Sequence, residues 1–308
     1  MPVKLPSQMA QLKRAFKDRK PIRTGSLIVT MFGDSIAPRG GSIWLGSLIG
    51  AFEALDIQHR LVRTAVYRLV QDGILTNEAV GRRSYYALTR EGKREFDEAT
   101  QRIYFEPTTD WNGKWCMVII SNLATAERTD LRKRLMWEGF GNFGPDVLAH
   151  PNPDRTRLQH LLDRAVVMDA ELPPDQRNAS LQDMINQAWR LDDLARAYQN
   201  YIDLFQPFLD ALHNGERLSD EDAFLLRTFM IHEYRKALLR DPALPEALLS
   251  PGWTGGAAVR SAGWNGVLCS GHTPPTPLRF SRNAILSYTP LPSAIRNSYI
   301  LGIGTSQP

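Results

Sequence analysis

Residues 58–71, QHRLVRTAVYRLVQ, constrain the fold more than any other stretch of this 308-residue chain. Leu61, Val62, Ala65, Val66, Leu69 and Val70 recur at i, i+1, i+4, i+5, i+8 and i+9, an apolar stripe at helical period that must pack inward. The other side carries Arg60, Arg63, Thr64, Tyr67, Arg68 and Gln71, long donors and an aromatic able to reach base edges and phosphates in a major groove. No Asp or Glu occurs along it, so the i,i+4 ion pairs of an ordinary surface helix are absent. Such a helix is either a solvated basic face or a nucleic-acid reader, and its flanks distinguish the two.

Upstream, the apolar run LIVTMF after Ser26 predicts a first helix, and GDSIAPRGG at 33–41 a loop. Ile43, Trp44, Leu45, Leu48, Ile49 and Phe52 mark a second helix, which a short turn at 55–57 joins to the basic one. Two helices joined tightly, the second basic and outward-facing, make a helix-turn-helix. Downstream, Asp72-Gly73 ends the helix, and strands at 74–79 and 84–88 flank Val80-Gly81-Arg82-Arg83 as a wing with both arginines at its tip. Eight Lys/Arg stand against three acids between residues 58 and 94. Residues 25–105 therefore read as a winged helix-turn-helix domain for double-stranded DNA, closing with a Thr89-capped helix over 90–104 that suits a connector or dimer contact.

Charge supports one polyanion-binding end. Residues 1–24 hold seven Lys/Arg and only Asp18, the tail from residue 251 holds four Arg and no acid, and with a chain total of +4 the body between them is left at −6. The first 24 residues, with prolines at 2, 6 and 21, read as a mobile basic arm with a helical turn near 9–16, either a solvated tail or a phosphate-contacting arm. No apolar run approaches the ~18 residues of a membrane span and no signal-peptide core is present, so a cytoplasmic protein is expected. Cys116 and Cys269 have no spaced Cys or His partners, and Cys116 lies in an apolar run that suits a small buried thiol.

Beyond a linker at 106–112, the strand WCMVIIS at 115–121 is too apolar for a solvated face. Helix at 125–137, extended chain at 147–149, helix at 158–162 and strand at 166–168 follow, predicting a ferredoxin-like α/β domain over 111–172. Residues 180–250 read as all helical. Tyr198, Tyr201, Phe205 and Phe208, with Phe224, Phe229 and Tyr234 in the next helix, lie at spacings that packing requires and that a ligand cavity would also use. The fold class is thus α+β and multidomain.

Several ordered blocks resemble the PaaX-like transcriptional repressors of phenylacetate degradation. They are IRTGSLIVTMFGD with GGSIWLGSLI, LVRTAVYRLVQDGIL, GRRSYYALTREG, the WNGKW strand entry, LRKRLMWEGFGNFGPDVLAHP and MIHEYRKALLRDPALPEALL, running from residue 25 to about 258. The resemblance implies a winged-helix domain, a central domain similar to that of a CRISPR-associated nuclease, a helical C-terminal domain, a homodimer, and release from operator DNA by the effector phenylacetyl-CoA. Matching positions carry over DNA reading to Arg60, Arg63, Thr64, Tyr67 and Arg68, and wing contacts to Arg82 and Arg83. In the matching block around 232–235, His232 and Arg235 offer polar and cationic groups for an acyl-CoA effector, or else for an interdomain salt bridge.

The last 58 residues depart from the family pattern. They contain eight Gly, seven Pro and seven Ser and no Asp, Glu or Lys, and helical period is lost after about Arg260. This composition suggests a frame change in the coding sequence near Arg260 and a largely disordered tail over 251–308.

Two other functions fit the pattern less well. The same DNA module answering to another aryl-acyl effector is compatible with every residue named. A metal-dependent nuclease would need carboxylates at the ends of the central strand, which instead reads Trp115-Cys116 to Ser121-Asn122. No P-loop, GxSxG, HExxH or strand-linked GxGxxG occurs, so neither an enzyme nor a cofactor is expected. His150 and His160 have no partners at metal-ligand spacing and read as surface or packing residues.

Overall fold

The computed structural model describes residues 5–18, 23–37, 40–94, 111–171, 179–253, 255, 279–280 and 284–285. The chain divides into two compact units, one of residues 1–103, 205–235 and 265–308, the other of residues 104–204 and 236–264.

The first unit has helix α1 (Leu5–Lys17) where a mobile arm with a helical turn near 9–16 was expected. Leu5, Met9, Leu12 and Phe16 recur at i, i+4, i+7 and i+11 and are all buried. Pro6 sits in the first helical turn, where its missing N–H costs nothing. The Phe16 and Phe229 rings stack at 3.7 Å, and Lys13 pairs with Asp222 at 2.8 Å, so residues 5–17 form a docked amphipathic helix, while residues 1–4 and 19–22 of the expected arm lie outside the described residues. Helix α2 (Thr24–Met31) runs into a π-helical turn at Phe32–Ile36. Ile43 and Trp44, expected in a helix, belong to strand β1 (Ser42–Trp44), which precedes α3 (Leu45–Glu53). Helix α4 (His59–Gln71) leads to strands β2 (Leu75–Val80) and β3 (Arg83–Leu88). The three strands form an antiparallel sheet of order β1-β3-β2. Of the helix expected over 90–104, residues 90–94 are helical and the remainder lies outside the described residues.

The second unit contains strand β4 (Lys114–Ile119), helix α5 (Thr125–Trp137), the hairpin β5 (Gly141–Gly144) and β6 (Val147–His150), helix α6 (Arg155–Leu162) and strand β7 (Val166–Glu171). Antiparallel order β5-β6-β4-β7 with this β-α-β-β-α-β connectivity is ferredoxin-like topology. Cys116, Val118 and Ile120 face Leu131, Leu135, Leu158 and Leu161 in one core. Trp115 lies in a second core with Leu181, Ile185, Leu191, Leu244 and Leu248.

Helices α7 (Ala179–Trp189), α8 (Leu191–His213) and α9 (Asp220–Leu238) fill the region expected as a separate helical domain. Residues 205–235 of this region belong with the first unit and residues 236–264 with the second. Tyr198, Tyr201, Phe205 and Phe208 are all buried. In the tail, Arg279–Phe280 and Ala284–Ile285 pair antiparallel, while the expectation of a largely disordered, frame-shifted segment falls mostly outside the described residues. Among the described residues no helix is long and apolar enough to cross a membrane.

Strand β5 was missed because Gly-Asn-Phe-Gly is poor strand sequence. Its first glycine is there for a neighbour, since a Cβ on Gly141 would lie 2.5 Å from the Trp189 ring, whereas one on Gly144 would meet nothing within 4 Å. Gly141→Ala is expected to cost about 1–3 kcal/mol through forced repacking. Gly144→Ala should cost far less, and urea unfolding of both variants reads the difference.

Candidate nucleic-acid interface

The interface is built on α4, and its orientation follows from three contacts inward. Val62, Val66 and Leu69, at i, i+4 and i+7, are buried, while Ala65 and Val70 are half-buried. Leu61, expected on the buried stripe, is 43% exposed, because the helix sits against its neighbours along a narrower line than the sequence suggested. The turn before α4 places Asp56 at φ 59°, a left-handed position that Asp tolerates better than most residues. Lys17 of α1 donates to Asp56 at 2.5 Å, and His59 meets Glu53 at the same distance. At the other end Gly73 takes φ 71°, and Thr89 Oγ1 donates to the Gly73 carbonyl at 2.6 Å.

With the apolar line inward, Arg60, Arg63, Thr64, Tyr67 and Arg68 all face solvent, and Tyr67 is 65% exposed. Among the described residues no carboxylate pairs with Arg60, Arg63 or Arg68. A ring with a hydroxyl and three unpaired guanidiniums on one helix face would carry a large desolvation cost in a protein core, and suits a hydrated polyanion. The sequence-predicted reading residues are therefore brought together on one surface.

The hairpin adds two arginines with different surroundings. Strands β2 and β3 pair in full register from Leu75↔Leu88 to Val80↔Arg83, and Gly81 at φ 60° allows the tight turn that places Arg82 at the tip. Arg83 was expected to share that tip. Its guanidinium instead lies over the Trp44 ring, 4.7 Å from the centroid, although the residue is exposed. Stacking holds the planar group while leaving N–H donors at its edge. Trp44 is thus a supporting residue that sequence reasoning placed inside a helix, and only the β1–β3 pairing brings it here.

His232 and Arg235 lie elsewhere in the same unit, against α2. Thr30 Oγ1 donates to the Ser26 carbonyl at 3.0 Å, receives Arg235 Nη1 at 3.1 Å and stands 3.2 Å from His232 Nδ1. Beside them Arg227 grips Asp34 through two hydrogen bonds of 2.7 and 2.8 Å, and the Asp34 side chain is 4% exposed. The two candidate effector residues therefore take part in a buried polar contact joining α2 to α9.

The second unit has a polar cluster of its own. Across β4, Cys116 is paired with His150 of β6 and Asp169 of β7, and Arg155 of α6 pairs with Asp169. Burial pushes the Cys116 thiol up, which keeps it protonated and unreactive. Burial pushes His150 down to about 4. Its Nδ1 accepts the Asn152 N–H at 2.9 Å, a bond that only the neutral ring can make. Among the described residues no group of three or more His, Cys, Asp or Glu is placed to hold a metal ion.

The fold and this interface define a multidomain α/β protein with a basic helix-and-hairpin surface, and comparison with known proteins gives its family. Residues 23–92 match the model described as PaaX-like protein, 108–171 that of the PaaX protein central Cas2-like domain, and 189–262 that of the PaaX-like protein C-terminal domain. The transcriptional repressor PaaX of Escherichia coli (strain K12) is 36% identical over 245 residues, covering 77% of this chain and 78% of that protein. The chain belongs to the PaaX-like family, a family of regulators and not of enzymes. A solved structure, uncharacterized protein Rv0674 from Mycobacterium tuberculosis, aligns with a TM-score of 0.49 at 22% identity, covering 72% of this chain and 86% of that one.

The His150 ring gives a pH dependence with a definite sign. The unfolded chain takes up a proton below about pH 6.5 while the folded ring resists until about 4, so its contribution is fully present above 6.5 and is lost as pH falls toward 4. The loss approaches about 3 kcal/mol. Urea unfolding at pH 7.5 and 4.5 should show a smaller drop for His150→Gln than for the native chain.

Proposed function

We propose that the protein is a DNA-binding transcriptional repressor of a phenylacetate catabolic operon, released from its operator by phenylacetyl-CoA. The observation that carries this reading is the face of α4, where Arg60, Arg63, Thr64, Tyr67 and Arg68 stand exposed without a carboxylate among them. Family membership and the repressor of known name among its relatives support the same reading. Helices α2, α3 and α4 with the β2–β3 hairpin act as a winged helix-turn-helix, α4 entering the major groove and Arg82 meeting the backbone beyond it. A homodimer would place two such helices on a pseudo-palindromic operator, with centres about 10 base pairs or a multiple apart.

Release requires that the acyl-CoA bind the operator-competent and incompetent states with different affinity. His232 and Arg235 are candidate contacts because a ligand competing for Thr30 or the Arg235 guanidinium would loosen α2 from α9. The finer assignment, phenylacetyl-CoA over another aryl-acyl thioester or the free acid, follows the family resemblance.

Operator binding measured by fluorescence anisotropy, with and without phenylacetyl-CoA, tests the whole reading. Binding relieved by the thioester is expected, and unrelieved binding would remove the effector. Arg63→Ala should cost about 1–3 kcal/mol and relax preference at one operator position. Arg82→Ala should weaken all sequences alike and lower the salt slope by about one. Equal, sequence-independent losses in both would mean that the reading face is misplaced.

A further inference from the structure

Between α4 and the β2–β3 hairpin runs an open groove of about 430 Å³. Leu45, Val66 and Val70 form an apolar floor, and Arg63, Gln71, Asn77 and Tyr86 stand around it, with Tyr67 beside them. Asn77 and Tyr86 are directly opposed in the β2–β3 register, so their side chains share the sheet face turned to α4. Glu78, opposed to Tyr85, lies on the other face, and among the described residues no carboxylate lines the groove.

We propose that this groove seats one phosphodiester and its deoxyribose from the operator backbone, with Asn77 and Tyr86 donating to the phosphate. The proposal rests on the DNA-binding reading above. An apolar floor with the neutral donors Tyr67, Gln71, Asn77 and Tyr86 around it complements a deoxyribose and the singly charged phosphodiester attached to it. The location selects the same occupant. If α4 reads bases in the major groove while Arg82 at the hairpin tip engages the same duplex, a backbone strand must pass between them, and the groove is the concavity it meets. Neutral donors fix register without adding to the salt dependence that the arginines already supply.

The test uses the full chain, an operator duplex and a scrambled duplex of equal length, read by anisotropy at fixed and at varied salt. Asn77→Ala and Tyr86→Phe should each weaken binding about tenfold, as loss of a hydrogen bond to a charged group does. The loss should be equal on both duplexes and leave the salt slope unchanged. Tyr86→Phe keeps the ring that opposes Ile43 in the sheet, so its effect is not one of folding. On an operator carrying a methylphosphonate at the contacted position, Tyr86→Phe should cause no further loss. Unchanged affinity in both variants, or a loss confined to the operator, would overturn the proposal. So would loss of phenylacetyl-CoA binding with DNA binding intact, which would make the groove an effector pocket. Failure of the native chain to bind either duplex would bring down the DNA-binding reading itself.

Discussion

Burial of Val62, Val66 and Leu69 sets the rotation of α4 about its own axis, and the proposed chemistry of the protein depends on that angle. Each such side chain contributes about 1.5–3 kcal/mol when removed from water. A rotation of one residue would expose this line and carry Arg63 toward the core, where an unpaired charge costs several kcal/mol more. The two penalties act in the same direction, so the basic face is held outward by the core beneath it. Lys17, Asp56 and the hydrogen bond from Thr89 to the Gly73 carbonyl then secure the two ends of the helix.

A second constraint ties distant sequence into the same unit. Thr30 and His232, 202 residues apart, meet inside it, and Arg227 neutralises the nearly buried Asp34. Removing one member of such a pair leaves its partner buried and uncompensated, a larger loss than the pair's net contribution. Residues 205–235 are therefore part of what supports the helix-and-hairpin surface, not an appendage to it. Coupling between a ligand and DNA affinity would need only a shift in this contact between α2 and α9.

How far the sequence was legible depends on the range of the interaction involved. Helix α4, the hairpin and the α/β alternation of the second unit follow from local period and turn residues, and all were readable. Helix α1 was hidden by prolines at 2, 6 and 21, although Leu5, Met9, Leu12 and Phe16 already carried the helical spacing. Trp44 under Arg83, and Asn77 opposite Tyr86, depend on strand register, which no local pattern encodes. Likewise, the contact of His232 with Thr30 was not legible, because the two stand 202 residues apart in the chain.

Amide hydrogen exchange of the full chain, free and saturated with operator duplex, tests the central claim most directly. The account requires new protection across residues 58–71 and 75–88, with the sheet formed by β4, β5, β6 and β7 unchanged. Protection confined to residues 114–171, with α4 exchanging as in the free protein, would contradict it.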